Sequence, residues 1–223
     1  SPPDKRDWTD FAARLPAQLE RYRRAGIRYA ESAFNVVLSP KLDPETSTLT
    51  MAMSSEIGVP GIRYRTDGRN PDASSPLYAK PLRLRKTSTV RAGTFVNGLL
   101  VGKVSETRFL IHKALGKAPK LAYPYKERYN GGGGAGLVDG LRGSKSHTDG
   151  RWQGFEGDDL EAVLDFGRQE KISAVTVGFL ENLNSWIFLP VSVEFSVSKN
   201  GRDFEAVATV TNDDPPRAGE SAI

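Results

Sequence analysis

From Thr48 onward the apolar residues recur at every second position, and no segment with a helical period returns. This constrains the fold more than any other feature, because strands with one apolar face must be covered by another layer. Candidate strands cover residues 48–54, 61–66, 82–86, 89–95 and 102–110, separated by Gly, Pro, Asp and Asn. Asp67-Gly68 and Asn97-Gly98 are turn dipeptides. Short strands with no helix between them predict a small antiparallel sandwich over residues 46–111. The stretch 112–124, HKALGKAPKLAYP, breaks both periods and reads as a linker. Beyond it, 160–166 and 172–180 are strand-like. Val191, Val193, Phe195 and Val197 then alternate with Ser192, Glu194, Ser196 and Ser198, and Asn200-Gly201 turns the chain toward a returning run at 204–210. Residues 125–223 therefore read as a second all-β module. Its polar end, NDDPPRAGESAI, supplies no closing strand, so the module is expected to be truncated.

One helix precedes the strands. Trp8, Phe11, Ala12, Leu15, Leu19 and Tyr22 fall on one face of residues 7–24. Asp7 is placed to cap the first turn. Gly26, after the basic Arg21, Arg23 and Arg24, is placed to end the last turn. Pro16 removes one ladder bond and is expected to kink or divide the helix. Little in the first 45 residues offers cover for the apolar stripe, which is expected to be exposed or to pack only on the sandwich.

Six of the eleven residues from Asn130 to Gly140 are glycine. A phosphate-binding loop would stand between a strand and a helix and be followed by Lys and Ser or Thr. Here LVDGLRG follows, and no apolar strand leads in. The glycines instead fit a loop that opens a new β module.

Composition removes several function classes. The 223 residues contain no Cys, which excludes disulfides, thiolate metal sites and cysteine nucleophiles. No run of 18 apolar residues occurs, so no membrane-spanning helix is expected. His112 and His147 are the only histidines and lack zinc-ligand spacing. Charge is uneven: residues 61–120 hold thirteen Lys and Arg against three Asp and Glu, and residues 121–223 hold ten against sixteen. The basic run LRLRKTSTVR alternates leucine with arginine and has no interleaved aromatic residues, as one solvated strand face would, so nucleic acid is not an expected partner.

The N-terminal RDWTDFAARLPAQLERYRRAGIRYA resembles the last helix of the catalytic barrel in family-20 glycoside hydrolases, the β-N-acetylhexosaminidases and chitobiases. IRYRTDGRNPDASSPLYAKPLRLRKTSTVRAGTFVNGLLVG resembles the small immunoglobulin- or fibronectin-like sandwich that often follows that barrel, with Tyr64, Thr66, Asp67, Gly68, Pro71, Tyr78, Ala92 and Phe95 matching its pattern. HKALGK resembles the connector, and LVDGLRG, GRWQGFEG, WIFLP and SVSKNGRDF resemble a discoidin-like (coagulation-factor type C) jelly roll of the galactose-binding kind. The resemblance implies a mainly β chain: barrel end at 1–45, sandwich at 46–111, linker at 112–124 and discoidin-like carbohydrate-binding module at 125–223. It implies a periplasmic or extracellular protein.

The family's catalytic carboxylates are an adjacent Asp-Glu pair, and no Asp-Glu dipeptide occurs in this sequence. No catalytic residue is assigned, and Asp158-Asp159 and Asp213-Asp214 read as solvated loop carboxylates. Glycan is the expected partner and no cofactor is required. Trp152, Trp186, Asn182 and His147 are the candidate carbohydrate-binding residues, although both tryptophans sit in structural motifs where packing is the commoner role. Loops 182–185 and 144–151 are where ligand contact is expected. The resemblance implies a structural Ca2+ at Asp139. The competing role for Asp139 is a side chain bonded to its own turn. A purely structural or protein-interaction module is the alternative to a sugar-binding one.

Overall fold

The computed structural model describes residues 7–43, 45–58 and 61–213, and within the helix the side chains of Trp8, Thr9, Ala12, Ala13 and Pro16 lie outside the description. Asp214 and the rest of the polar end also lie outside the described residues. The chain forms two compact units, residues 1–112 and 113–223. It is mainly β, with one α-helix and several small antiparallel sheets.

The first unit begins with α1 (Trp8–Arg24). The Asp7 carboxylate accepts the Asp10 backbone N–H at 3.1 Å, the cap anticipated from sequence. At the other end Gly26 has φ +70°. Its N–H reaches the Arg23 carbonyl at 3.1 Å, and the Ile27 N–H reaches that of Tyr22 at 2.9 Å. This paired closure satisfies the last carbonyls and requires a left-handed residue at Gly26. The element runs through Pro16 without a break, so the expected division does not occur. Loss of one ladder bond leaves the flanking turns paired on both sides.

The helix buries its C-terminal half. Leu19 is enclosed by Phe34 and Ile57, and Leu15, Tyr22, Tyr29, Val96 and Val101 pack around them. Phe11 remains about half exposed. The segment before the first strand is tied to the sheet: Thr94 Oγ1 donates to the Phe34 carbonyl at 2.6 Å, and Lys103 N–H donates to Asn35 Oδ1 at 2.8 Å. Along the described part of the stripe, Leu15, Leu19 and Tyr22 are thus covered by their own unit while Phe11 stays half exposed.

Six strands follow: β1 (Val37–Asp43), β2 (Thr48–Ser54), β3 (Ile62–Arg65), β4 (Leu82–Leu84), β5 (Ser88–Val96) and β6 (Leu99–Phe109). They make two three-stranded antiparallel sheets, ordered β1-β2-β4 and β3-β5-β6. Sequence periodicity finds β2 to β6 within a few residues and misses β1, which pairs with β2 along its whole length. In β2 the alternation becomes burial, with Leu49, Met51 and Met53 inside. Val90, Ala92 and Phe109 are also fully enclosed. Asn97 and Gly98, both at positive φ, close the β5–β6 hairpin.

The second unit is looser. β7 (Lys120–Leu121) pairs with β8 (Ala162–Val163), so the expected linker contributes a short strand. β9 (Ser192–Val197) and β10 (Glu205–Thr211) form the anticipated hairpin. The strand expected at 172–180 is not formed. Ile172, Val175 and Val177 are exposed and join no ladder among the described residues. Alternation makes a strand only where a neighbouring strand takes its N–H and C=O groups.

Candidate functional site

The glycine cluster folds tightly. Gly131, Gly132 and Gly133 all have positive φ, and a short 3-10 turn, Gly133–Val138, follows. A Cβ on Gly131 would lie 2.6 Å from the backbone of Trp152 and Gln153. The close approach exists because Gln153 Nε2 donates to the Asn130 and Gly133 carbonyls at 3.2 and 2.7 Å, and Gly154 N–H donates to the Tyr129 carbonyl at 3.0 Å. Glycine is therefore required where two backbones touch. The cluster's function is to seat residues 128–131 against residues 152–154.

The loop facing it is braced from within. Asp149 accepts the backbone N–H groups of Ser144 and Arg151, and Ser146 Oγ shares a hydrogen bond with Thr148 Oγ1 at 2.8 Å. Trp152 Nε1 donates to the Ser144 carbonyl at 2.8 Å, and Gly143 lies so close to the indole that any Cβ there would collide with the ring. The indole is fixed by both contacts. His147 meets Tyr129 edge-on with ring centroids 6.1 Å apart. The Arg128 guanidinium lies over the Tyr129 ring, 4.8 Å from its centroid.

Between these segments is a cleft of about 200 Å³, lined by Arg128, Tyr129, Asn130, Gly131, His147, Thr148, Gly150 and Trp152. Aromatic rings, a carboxamide, a hydroxyl and one guanidinium converge on it. That mixture offers both ring surface and hydrogen-bonding groups to a small polar ligand. The first unit has a hollow of about 250 Å³ between Ser54, Gly58, Ile62 and Tyr78, but no charged side chain among the described residues lines it.

The structure brings Trp152 and His147 together in the cleft. Asn182 and Trp186 do not line it. Asn182 Oδ1 caps the turn Leu183–Ser185 by accepting the Ser185 N–H at 3.2 Å. Trp186 has φ +56° and is 82% exposed, with Phe188 edge-on at 6.4 Å. Arg128 and Tyr129 are cleft residues that sequence reasoning missed. The available signal was an Arg-Tyr-Asn stretch immediately before a glycine run.

Asp139 accepts the Leu141 N–H at 2.8 Å, and Arg151 stands 3.9 Å from its other oxygen. Burial pushes its carboxyl above the usual carboxylate range, partly offset by those two contacts. Calcium requires several oxygen ligands. No group of three or more His, Cys, Asp or Glu is gathered among the described residues. With an N–H on one oxygen and a guanidinium near the other, the carboxylate braces its own turn. Asp158 and Asp159 are exposed.

The family-pattern residues of the first unit are structural. Asp67 is gripped by Arg65 and Arg69, which hold its carboxyl far below the usual carboxylate range. Gly68 at φ +79° donates its N–H to the Thr89 carbonyl at 3.1 Å. Pro71, Ala92 and Phe95 are buried.

Residues 43–106 match the family described as the chitobiase/beta-hexosaminidase C-terminal domain. The matched segment covers β2 to β5 and most of β6, all within the first unit. No curated protein matches the chain. No helix among the described residues is long and apolar enough to cross a membrane.

Proposed function

We propose that the chain is the non-catalytic C-terminal region of a β-N-acetylhexosaminidase, an enzyme that removes terminal N-acetylhexosamine from glycans outside the cytoplasm, in the periplasm or extracellular space. The match over residues 43–106 carries this reading. In it, α1 is the end of the catalytic barrel, the two sheets of the first unit are the fibronectin-like sandwich that follows it, and the second unit is a discoidin-like module that holds substrate through the cleft beside Tyr129. The accessory role agrees with a sequence that contains no Asp-Glu dipeptide. The whole 223-residue chain is expected to give no turnover of an aryl N-acetylglucosaminide above buffer. Turnover that survives repurification would overturn the accessory role.

The sugar-holding part has its own test. The intact chain on a glycan array is expected to bind, and Tyr129→Ala to abolish that binding. One observation favours a purely structural or protein-interaction module: the Trp152 indole N–H and the Asn182 carboxamide are both engaged in local bonds. An array that stays silent with and without calcium would support that second reading.

A further inference from the structure

Among the described residues the cleft's lining includes a single formal charge, the Arg128 guanidinium, and no carboxylate. That guanidinium is positioned by the Tyr129 ring beneath it. A stacked guanidinium keeps the N–H edges of its plane free for hydrogen bonding. Its ion pair, with Glu156 at 3.5 Å, joins two side chains that are each 67% exposed. Such a contact contributes little and exchanges readily for a better partner.

Two of the three acids in residues 125–153 are otherwise engaged. Asp149 accepts two backbone N–H groups, and Asp139 accepts Leu141 N–H and faces Arg151. Residues 125–153, which build the cleft, hold five Lys and Arg against three Asp and Glu, whereas residues 154–223 hold five against thirteen. A module that is acidic overall thus builds its cleft from a segment with a net positive charge. Were the charges only for solubility, the cleft segment would be expected to share the sign of the rest.

We propose that the cleft selects glycans bearing a negative charge, a ring carboxylate or a sulfate, with Arg128 as the anion's partner. The inference rests on the reading of this cleft as a sugar site. Tyr129 and His147 supply ring surface, while Asn130 and Thr148 meet hydroxyls. The anion replaces Glu156 at the guanidinium and forms two parallel charge-assisted hydrogen bonds, a geometry that carboxylate and sulfate both fit.

The test titrates the intact chain, followed by amide chemical shifts, with three tetrasaccharides: neutral galactan, galacturonate and 6-sulfated galactan. Binding of at least one acidic form about 10-fold tighter than the neutral one is expected, the scale of one charge-assisted contact. The two acidic arms show whether carboxylate or sulfate is preferred. Arg128→Gln should remove the preference and leave neutral binding in place, and Arg128→Lys should retain part of it. Lys145→Gln, outside the cleft lining, should change nothing. Equal binding of neutral and acidic sugars overturns the charge selection while leaving the sugar site intact. Acidic binding that both Gln variants weaken alike reveals a general field and also overturns it. No binding to any of the three, on a chain whose spectrum shows it folded, removes the sugar site and this inference together.

Discussion

At the scale of single residues, the glycines divide into those that the fold requires and those it tolerates. Gly131 has φ +47°, and a Cβ there would meet the Trp152–Gln153 peptide at 2.6 Å. Gly134, three residues on, has nothing within 4 Å of its would-be Cβ. Gly131→Ala is therefore expected to destabilise the second unit by about 1–3 kcal/mol, since that peptide does not yield cheaply. Gly134→Ala should be nearly neutral. Urea unfolding of the two variants checks the difference, and equal midpoints would contradict it. Composition alone does not reveal this contrast, because both residues stand in the same run. The cleft was half legible for the same reason. His147 and Trp152 lie near each other in sequence, but Arg128 and Tyr129 reach them only through left-handed turns at Gly131 to Gly133.

At the scale of elements, α1 tests how a helix with one covered half is held. Leu19 is enclosed by Phe34 and Ile57, while Phe11 is 45% exposed. Leu19→Ala should lower the stability of the first unit by about 2–3 kcal/mol, the lower part of the range for a core leucine. Phe11→Ala should change it little. Thermal unfolding distinguishes them. Electrostatics adds a second expectation. Arg23 and Arg24, at 2.7 and 2.9 Å, depress the Glu20 carboxyl to about 2. Because the folded value is the lower one, the stabilisation is complete above the ordinary Glu range near 4.5 and is lost as pH falls toward about 2. Carboxyl carbon shifts should show Glu20 ionised at pH 3.5, and salt should raise its midpoint because the group is solvent-facing. A midpoint near 4.5 in dilute buffer would refute the ion pairs. The strands show where pattern reading succeeds and fails. β2 coincides with its expected span because its alternation meets two partner strands, β1 and β4. β1 escaped notice because Pro40 interrupts it, and an edge strand tolerates proline where a central one would not. Residues 172–180 carry the composition of a strand but have no ladder partner, and sequence does not show whether a partner exists.

At the scale of the whole molecule, the two units differ in how they cover their strands. The first has a closed set of buried side chains from β2, β5 and β6. In the second, every residue of β10 is exposed, and its edge away from β9 is unpaired among the described residues. Val191, Val207 and Val210 are each more than half exposed. A bare edge with apolar flanks recruits other strands. The isolated chain should therefore brighten an apolar dye such as anilinonaphthalene sulfonate, and its sedimentation coefficient should climb with concentration. Val207→Lys should reduce both effects, because a charge on an edge opposes pairing. A concentration-independent coefficient with no dye response would show the face to be covered in solution. The same edge sets a practical ceiling for the bench: above the onset of self-association, scattering and affinity measurements report the colloid and no longer the single chain.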